Sequence, residues 1–481
     1  MNMECWVSIW PVGYAEAILA HDPSLVTGLP IRDAPLVARD GVLVPADTVK
    51  LANGGFEEFN GPSAVGWFHD QPGQGSFVDT AIAHSGKASL CLNAEAHANE
   101  AGNCRASQTV EVRPWQHYRL SYWVRLENAS GYYQTLVLAD GSNRTLQTCG
   151  YRAAGEELAP ITETLRGKTA DWVRQVVTFN SLDNAKVRIY MGVWGKESGG
   201  KLWVDDVQIE PVPTLNIIRR DSLPLKIVGE DGTVYEEGRD FEPVTDPKLG
   251  HASWPGTFGV YHDPPTIRLA ENSRIRNGQR VLMSGYHALL MPGDQVNCSL
   301  ADPKVFDVLK ETVRANERLL DPDGWFLGYD EMRVAGWEPL EQQFKTTGEA
   351  LANNVRQACD IVRAEGGSKP MCTWSDMFDP GHNARENYYM VANTLVGSWE
   401  GLPKDMIIVT WVPWRKSVEF FANRGHKQIV AGYYDADVQR NHQAWAEATA
   451  GLPNVIGTMY TTWANNWADI EKYAQLWWGL K

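Results

Sequence analysis

Two hydrophobic rhythms divide this chain of 481 residues. Between 51 and 212, short runs alternate apolar and polar residues, with turn residues between them: 106–112, 117–125, 172–179, 187–194 and 202–209. Period two, repeated at this spacing, predicts an antiparallel β-sandwich of jelly-roll type. From 281 onward the rhythm changes. Continuous apolar runs at 281–287, 325–329, 370–375, 406–411, 428–434 and 455–463 alternate with stretches at helical spacing over 303–320, 348–365, 415–424, 441–450 and 467–478. Val305, Leu309, Val313 and Leu319 with Leu320 mark one apolar helix face. Repeated βα units with short links predict a parallel sheet, a (β/α)8-type (TIM) barrel.

These rhythms divide the chain into four segments. Residues 1–50 supply an N-terminal barrel strand at 5–10 and a loop; 51–212 form the inserted sandwich; 213–280 form a connector with a hairpin at 224–235; 281–481 form the barrel region. The expected fold is thus multidomain, α/β plus all-β. The strand count is one short of eight: six strands in 281–463 and one at the N-terminus. The barrel is expected to be incomplete, or closed by a segment that reads as loop.

Composition adds two points. The chain holds 20 Trp and 17 Tyr. Trp offers a flat apolar face with one polar handle, which suits the C–H faces of sugar rings, although barrel and sandwich cores use Trp as well. The net charge of −15 argues against a nucleic-acid partner, since phosphate binding needs a basic footprint. No apolar run reaches the ~18 residues of a membrane span, so no membrane partner is expected. The first residues lack a basic segment and a cleavage site. That reads as cytoplasmic, or as extracellular or periplasmic if the natural N-terminus lies further upstream. Seven Cys show no metal-ligand spacing. Cys91 and Cys104 are close enough in sequence to pair within the sandwich.

The candidate chemistry lies where apolar strands end. The run 325–329 is followed at once by Asp330, Glu331 and Arg333. Carboxylates at the end of a buried strand need partners, and in a parallel α/β architecture that strand end is the functional face. The plain alternative has Asp330 capping the next segment and Glu331 pairing with Arg333 on the surface. Other strand ends carry His287, Trp374 with Asp376, Trp411, Tyr433 with Asp435 and Asp437, and Trp463 with Asn465. Aromatic walls with carboxylates between them describe a sugar subsite. Glycoside hydrolysis needs a proton donor and a second group that stabilises the anomeric carbon. The expected ligand is an oligo- or polysaccharide.

Two resemblances sharpen this reading. Asn53-Gly-Gly-Phe-Glu57 with Gly66-Trp67, His84-Ser-Gly-Lys-Ala-Ser-Leu90 and Leu202-Trp-Val-Asp-Asp-Val207 resemble carbohydrate-binding modules of the family 4 and 9 type. That resemblance implies a structural calcium at Glu57 and Asp206. Trp67, Trp115, Tyr132 and Tyr133 are candidate sugar platforms, with core packing as the plain alternative. The sandwich could equally serve as a spacer or as the contact of a homo-oligomer. The barrel region resembles family 20 glycoside hydrolases, the β-N-acetylhexosaminidases, through the adjacent Asp330-Glu331 pair. The resemblance implies Glu331 as general acid/base, Asp330 as the group orienting a 2-acetamido nucleophile, Tyr433 as its partner, and Trp374, Trp411 and Trp463 as the wall, with no cofactor for catalysis. The chain departs from the family in lacking the first-strand Arg and in placing Asn465 where the family has Glu. A glycosidase with Asp435, Asp376 or Asp437 as a protein nucleophile, and a non-catalytic carbohydrate-binding protein, are the competing expectations.

Overall fold

The computed structural model of the chain describes residues 3–96, 103–150, 165–292 and 295–479. The chain folds as two compact units, 1–21 together with 297–481, and 22–296.

The first unit is built on six parallel strands in sequential order. They are β1 Trp6–Ile9, β2 Gly324–Leu327, β3 Met371–Trp374, β4 Ile407–Thr410, β5 Gln428–Tyr433 and β6 Val455–Thr461. Helices follow most of them: α1 Pro303–Leu320, α2 Thr347–Glu365, α3 Arg415–Asn423, α4 Val438–Thr449 and α5 Ile470–Trp478. Local chemistry sets the helix starts. Asp302 accepts the Lys304 amide ahead of Pro303, and Thr346 accepts the Glu349 amide.

Strand alternation splits the core. Trp325, Leu327, Met371 and Ile408 pack with Leu309 and Val313 of α1 and Leu351, Val355 and Val362 of α2. The opposite parity, Cys372, Trp374, Ile407, Val409 and Ala431, packs with Trp6, Phe326, Ile429 and Met459. Each buried Leu, Ile or Val contributes on the order of 1.5–3 kcal/mol. The central strands are thus buried on both faces, which is why they read as continuous apolar runs.

The strand path is open, from β1 to β6. The closed eight-stranded barrel is therefore not formed, and among the described residues no ladder joins the two edges.

The second unit holds an antiparallel β-sandwich. Its spine is the pair of long strands His117–Ala139 and Lys186–Pro211. Cys104–Glu111 and Ser89–Asn93 flank one of them; Leu165–Asn180 and Thr145–Gly150 flank the other. Cys91 and Cys104 are both buried free thiols and do not pair.

The rest of this unit corrects two expectations. Arg280–His287, expected in the parallel barrel, pairs antiparallel with Leu29–Arg39. It alternates buried and half-exposed positions, the mark of a sheet solvated on one face, whereas β3 and β4 are buried throughout. Leu29–Arg39 and Val42–Pro45, expected as loop, are strands. Pro30, Pro35 and Asp33 concealed the first of them. A bulge between Met283 and Gly285 in the partner and a left-handed Asp33 accommodate these residues. The 213–280 connector supplies Lys226–Gly229, Val234–Tyr235 and Ile267–Arg268 to the same six-stranded sheet.

Candidate functional site

The candidate site lies at the C-terminal ends of β2 to β6, all within the first unit. Leaving β2, Tyr329 turns toward the helices and donates to Asn354 Oδ1 at 2.6 Å. Asp330 then points away from them, 1% exposed. Glu331 adopts a left-handed backbone, φ 48°, a conformation costly for a non-glycine residue. Its amide donates to Asp376 Oδ2 at 2.9 Å, and the Asn383 side chain donates to the same oxygen at 2.8 Å. The Glu331 carboxylate meets two donors at Oε2: the Tyr14 hydroxyl at 2.7 Å and Arg333 at 2.9 Å. Arg333 also lies 5.3 Å from the centroid of the Tyr389 ring.

Behind Glu331 sit two buried acids. Asp376 is fully buried and Asp330 nearly so. Burial, then the neighbouring Glu331 charge, pushes the Asp330 carboxyl up to about 7. Burial and the Asp330 charge hold Asp376 well above the usual carboxylate range. The Tyr434 hydroxyl is raised by burial, partly countered by Trp463, and raised further by the charges of Asp376, Asp330 and Glu331. Asp330 Oδ1, Asp376 Oδ1 and the Tyr434 hydroxyl are buried without a hydrogen-bond partner among the described residues. Buried polar atoms are almost always satisfied, so this cluster leaves polar atoms open to water or to a ligand.

An aromatic box borders these groups. Trp374 and Trp411 have centroids 5.2 Å apart, Trp411 and Trp463 stack at 6.3 Å, and Tyr434 lies 6.2 Å from both Trp411 and Trp463. Trp374 is buried, while Trp463 is 57% exposed.

Tyr434 occupies the place expected of Tyr433. Tyr433, Tyr434 and Asp435 form a left-handed run, with φ 73°, 57° and 55°. The run sends Tyr433 to the helical side, where it stacks on Tyr460 at 4.3 Å and receives the Asn466 amide at 2.7 Å, and leaves Tyr434 with the acids.

Asp435 and Asp437 have structural partners. Asp435 accepts from Thr462 Oγ1 and from the amides of Trp463 and Ala464, at 2.5, 2.6 and 3.0 Å. Although burial opposes it, these bonds leave its carboxyl below the usual range. Asp437 caps α4 through the Arg440 amide. Asn465 is exposed in a left-handed turn.

His287 belongs to the second unit. It is fully buried, stacks on His117 at 3.6 Å and bonds Asn180 at 2.9 Å.

Tyr14 and His382 carried no recognisable signal in the sequence. His382 stands edge-on to Trp411 and Trp414, at 5.9 and 5.7 Å. Its proton affinity is lowered by burial, against the pull of Asp379 and Glu331.

In the sandwich, Trp67 packs in the core against Phe56, Trp115 is covered by Arg32, and Tyr133 is buried. Of the four candidate platforms, Tyr132 is exposed. A Cβ on Gly55 would lie 3.8 Å from Asp206 Oδ1 and 3.9 Å from Glu57 Cγ, so both side chains border Gly55. Glu57 Oε1 accepts the Lys87 and Ala88 amides, while Asp206 meets His84 Nδ1 and Ser85 Oγ. Two carboxylates supply part of the roughly six to eight oxygens that a calcium ion takes, Asp206 is also engaged by His84, and among the described residues no group of three or more His, Cys, Asp or Glu gathers to hold a metal.

No family model and no curated protein matches the chain. Solved structures resemble about a third of it. TmCBM61 in complex with β-1,4-galactotriose is 18% identical, with 34% of this chain and 99% of that chain covered, at TM-score 0.24. The CBM22-1 xylan-binding domain from Paenibacillus barcinonensis is 18% identical, covering 33% and 91%, at TM-score 0.23. A family 4 carbohydrate-binding module is 16% identical, covering 34% and 99%, at TM-score 0.24.

Proposed function

We propose that this protein binds carbohydrate and hydrolyses a glycosidic bond, with Glu331 as the general acid/base. One observation carries the reading: Glu331 stands at a cavity mouth, fixed by Tyr14, Arg333 and its own amide, directly before buried acids and a Trp box. Asp330 and Tyr434 orient the sugar substituent that acts as the internal nucleophile, a 2-acetamido group in the resemblance to family 20 hydrolases. Trp374, Trp411 and Trp463 hold the ring. Asp376 positions Glu331 through the backbone amide. Asp435 and Asp437 are committed to loop and helix termini and do not act as nucleophiles. A calcium bound by Glu57 and Asp206 would brace the sandwich, and isothermal titration with calcium, with and without Asp206→Ala, tests it.

A non-catalytic, carbohydrate-binding role is the second reading. The ion pair from Arg333 to Glu331 favours it, because a paired carboxylate is a poor proton donor. Release of para-nitrophenol from aryl glycosides, with and without a 2-acetamido group, separates the two. Turnover by the wild type that Glu331→Gln abolishes supports hydrolysis. Sugar binding without turnover on any glycoside supports the second reading.

A further inference from the structure

Glu331 also borders a cavity of about 470 Å³, whose lining includes Arg333, His382, Arg385, Tyr389 and Trp414. Arg333 is engaged by Glu331. Arg385 is different: it is exposed, and no carboxylate pairs with it among the described residues. Lys416 shares that condition. Its Nζ lies 5.2 Å from the centroid of the Trp414 ring, and its Cε lies 3.0 Å from where a Cβ on Gly381, another lining residue, would be. A third polar group, His382 Nδ1, is buried without a partner among the described residues. Arg385, Asp379 and Glu331 all act on the His382 ring, which places these charges together. Of the neighbouring acids, Glu331 receives Tyr14 and Arg333, and Asp379 Oδ1 receives the Gly381 amide while its Oδ2 is buried without a partner among the described residues.

Two cations without a paired carboxylate among the described residues and an unsatisfied imidazole nitrogen thus share one rim. A neutral sugar would leave both cations without a partner. A carboxylate or a sulfate ester would give them one, with charge-assisted hydrogen bonds. We propose that this cavity takes an anionic substituent of the carbohydrate bound at Glu331, a uronate carboxylate or a sulfate ester. That the ligand is a carbohydrate rests on the function proposed above; the anion preference rests on Arg385, Lys416 and His382.

The test is a Trp-fluorescence titration of the full chain with three probes: an oligosaccharide of hexuronic acid, a sulfated chitooligosaccharide and the unsulfated chitooligosaccharide. At least one anionic probe is expected to bind about tenfold tighter than the neutral one, with the preference shrinking as salt screens it. Arg385→Gln with Lys416→Gln, both at exposed positions, should weaken the anionic probe about tenfold and the neutral one by less than about twofold. The two anionic arms distinguish carboxylate from sulfate. Equal binding of neutral and anionic probes, equal weakening of both by the double variant, or binding of none overturns the proposal. Salt-sensitive anion binding without turnover on any aryl glycoside would remove the hydrolytic function and leave this site standing. Turnover of neutral glycosides with no anion preference would do the reverse.

Discussion

The Tyr14 hydroxyl donates a 2.7 Å hydrogen bond to Oε2 of Glu331, across 317 positions of sequence. The segment after β1 thereby reaches the acid that ends β2. A hydrogen bond to a charged group is worth about 1.5–3 kcal/mol. If Glu331 is the acid/base, Tyr14→Phe leaves the fold intact and lowers kcat by on the order of tenfold or more. Steady-state kinetics alongside a thermal melt check this, and an unchanged kcat would remove Tyr14 from the site.

Asp330 makes stability depend on pH. Burial and Glu331 raise its carboxyl from 3.8 to about 7. The folded chain therefore keeps a proton that the unfolded chain releases above about pH 4. The stabilisation is complete below that pH and is lost as pH rises through about 7. Urea titrations should show the wild type losing ground to Asp330→Asn across that window, by at most a few kcal/mol. A constant difference between the two proteins would contradict the buried, protonated carboxyl.

His287 works in the opposite direction. Burial lowers its imidazole from 6.5 to about 3, and burial beside His287 lowers His117 well below its ordinary value. Both rings are held neutral, so the unfolded chain takes up protons first on acidification. Stability is present above about pH 6.5 and is lost as pH falls toward 3. The groups facing the pair are Asn180, through His287, and Arg119, whose charge further lowers His117. His287→Phe should be less stable at neutral pH and less acid-sensitive than the wild type, read from melts at several pH values.

Asp435 holds the loop that carries the exposed wall of the box, through the Trp463 amide at 2.6 Å. Asp435→Ala releases that loop, and sugar affinity should fall several-fold while kcat at saturation changes little. A fall in kcat with unchanged affinity would instead mark Asp435 as a reacting group.

Much of the architecture is legible in the residues themselves. The change from period two near 212 to continuous apolar runs reports whether a sheet is solvated on one face or buried on both, a property each strand carries locally. The N-terminal strand and five of the six strands assigned to 281–463 join the parallel sheet for this reason. Arg280–His287 pairs antiparallel instead; Val281, Leu282 and Met283 are apolar whichever face they take, so its alternation of burial has no counterpart in its residues.

The sequence by itself determined the two sheet types, the insertion of the sandwich after the first strand, and the acidic pair at the end of β2, because these follow from local periodicity and from the cost of burying charge. Only the tertiary structure decided that Tyr434 rather than Tyr433 faces the acids, that His287 stacks on His117, and that Tyr14, His382 and Asp376 converge on Glu331. Those outcomes depend on a left-handed backbone run and on contacts between distant segments, and neither leaves a local period to read.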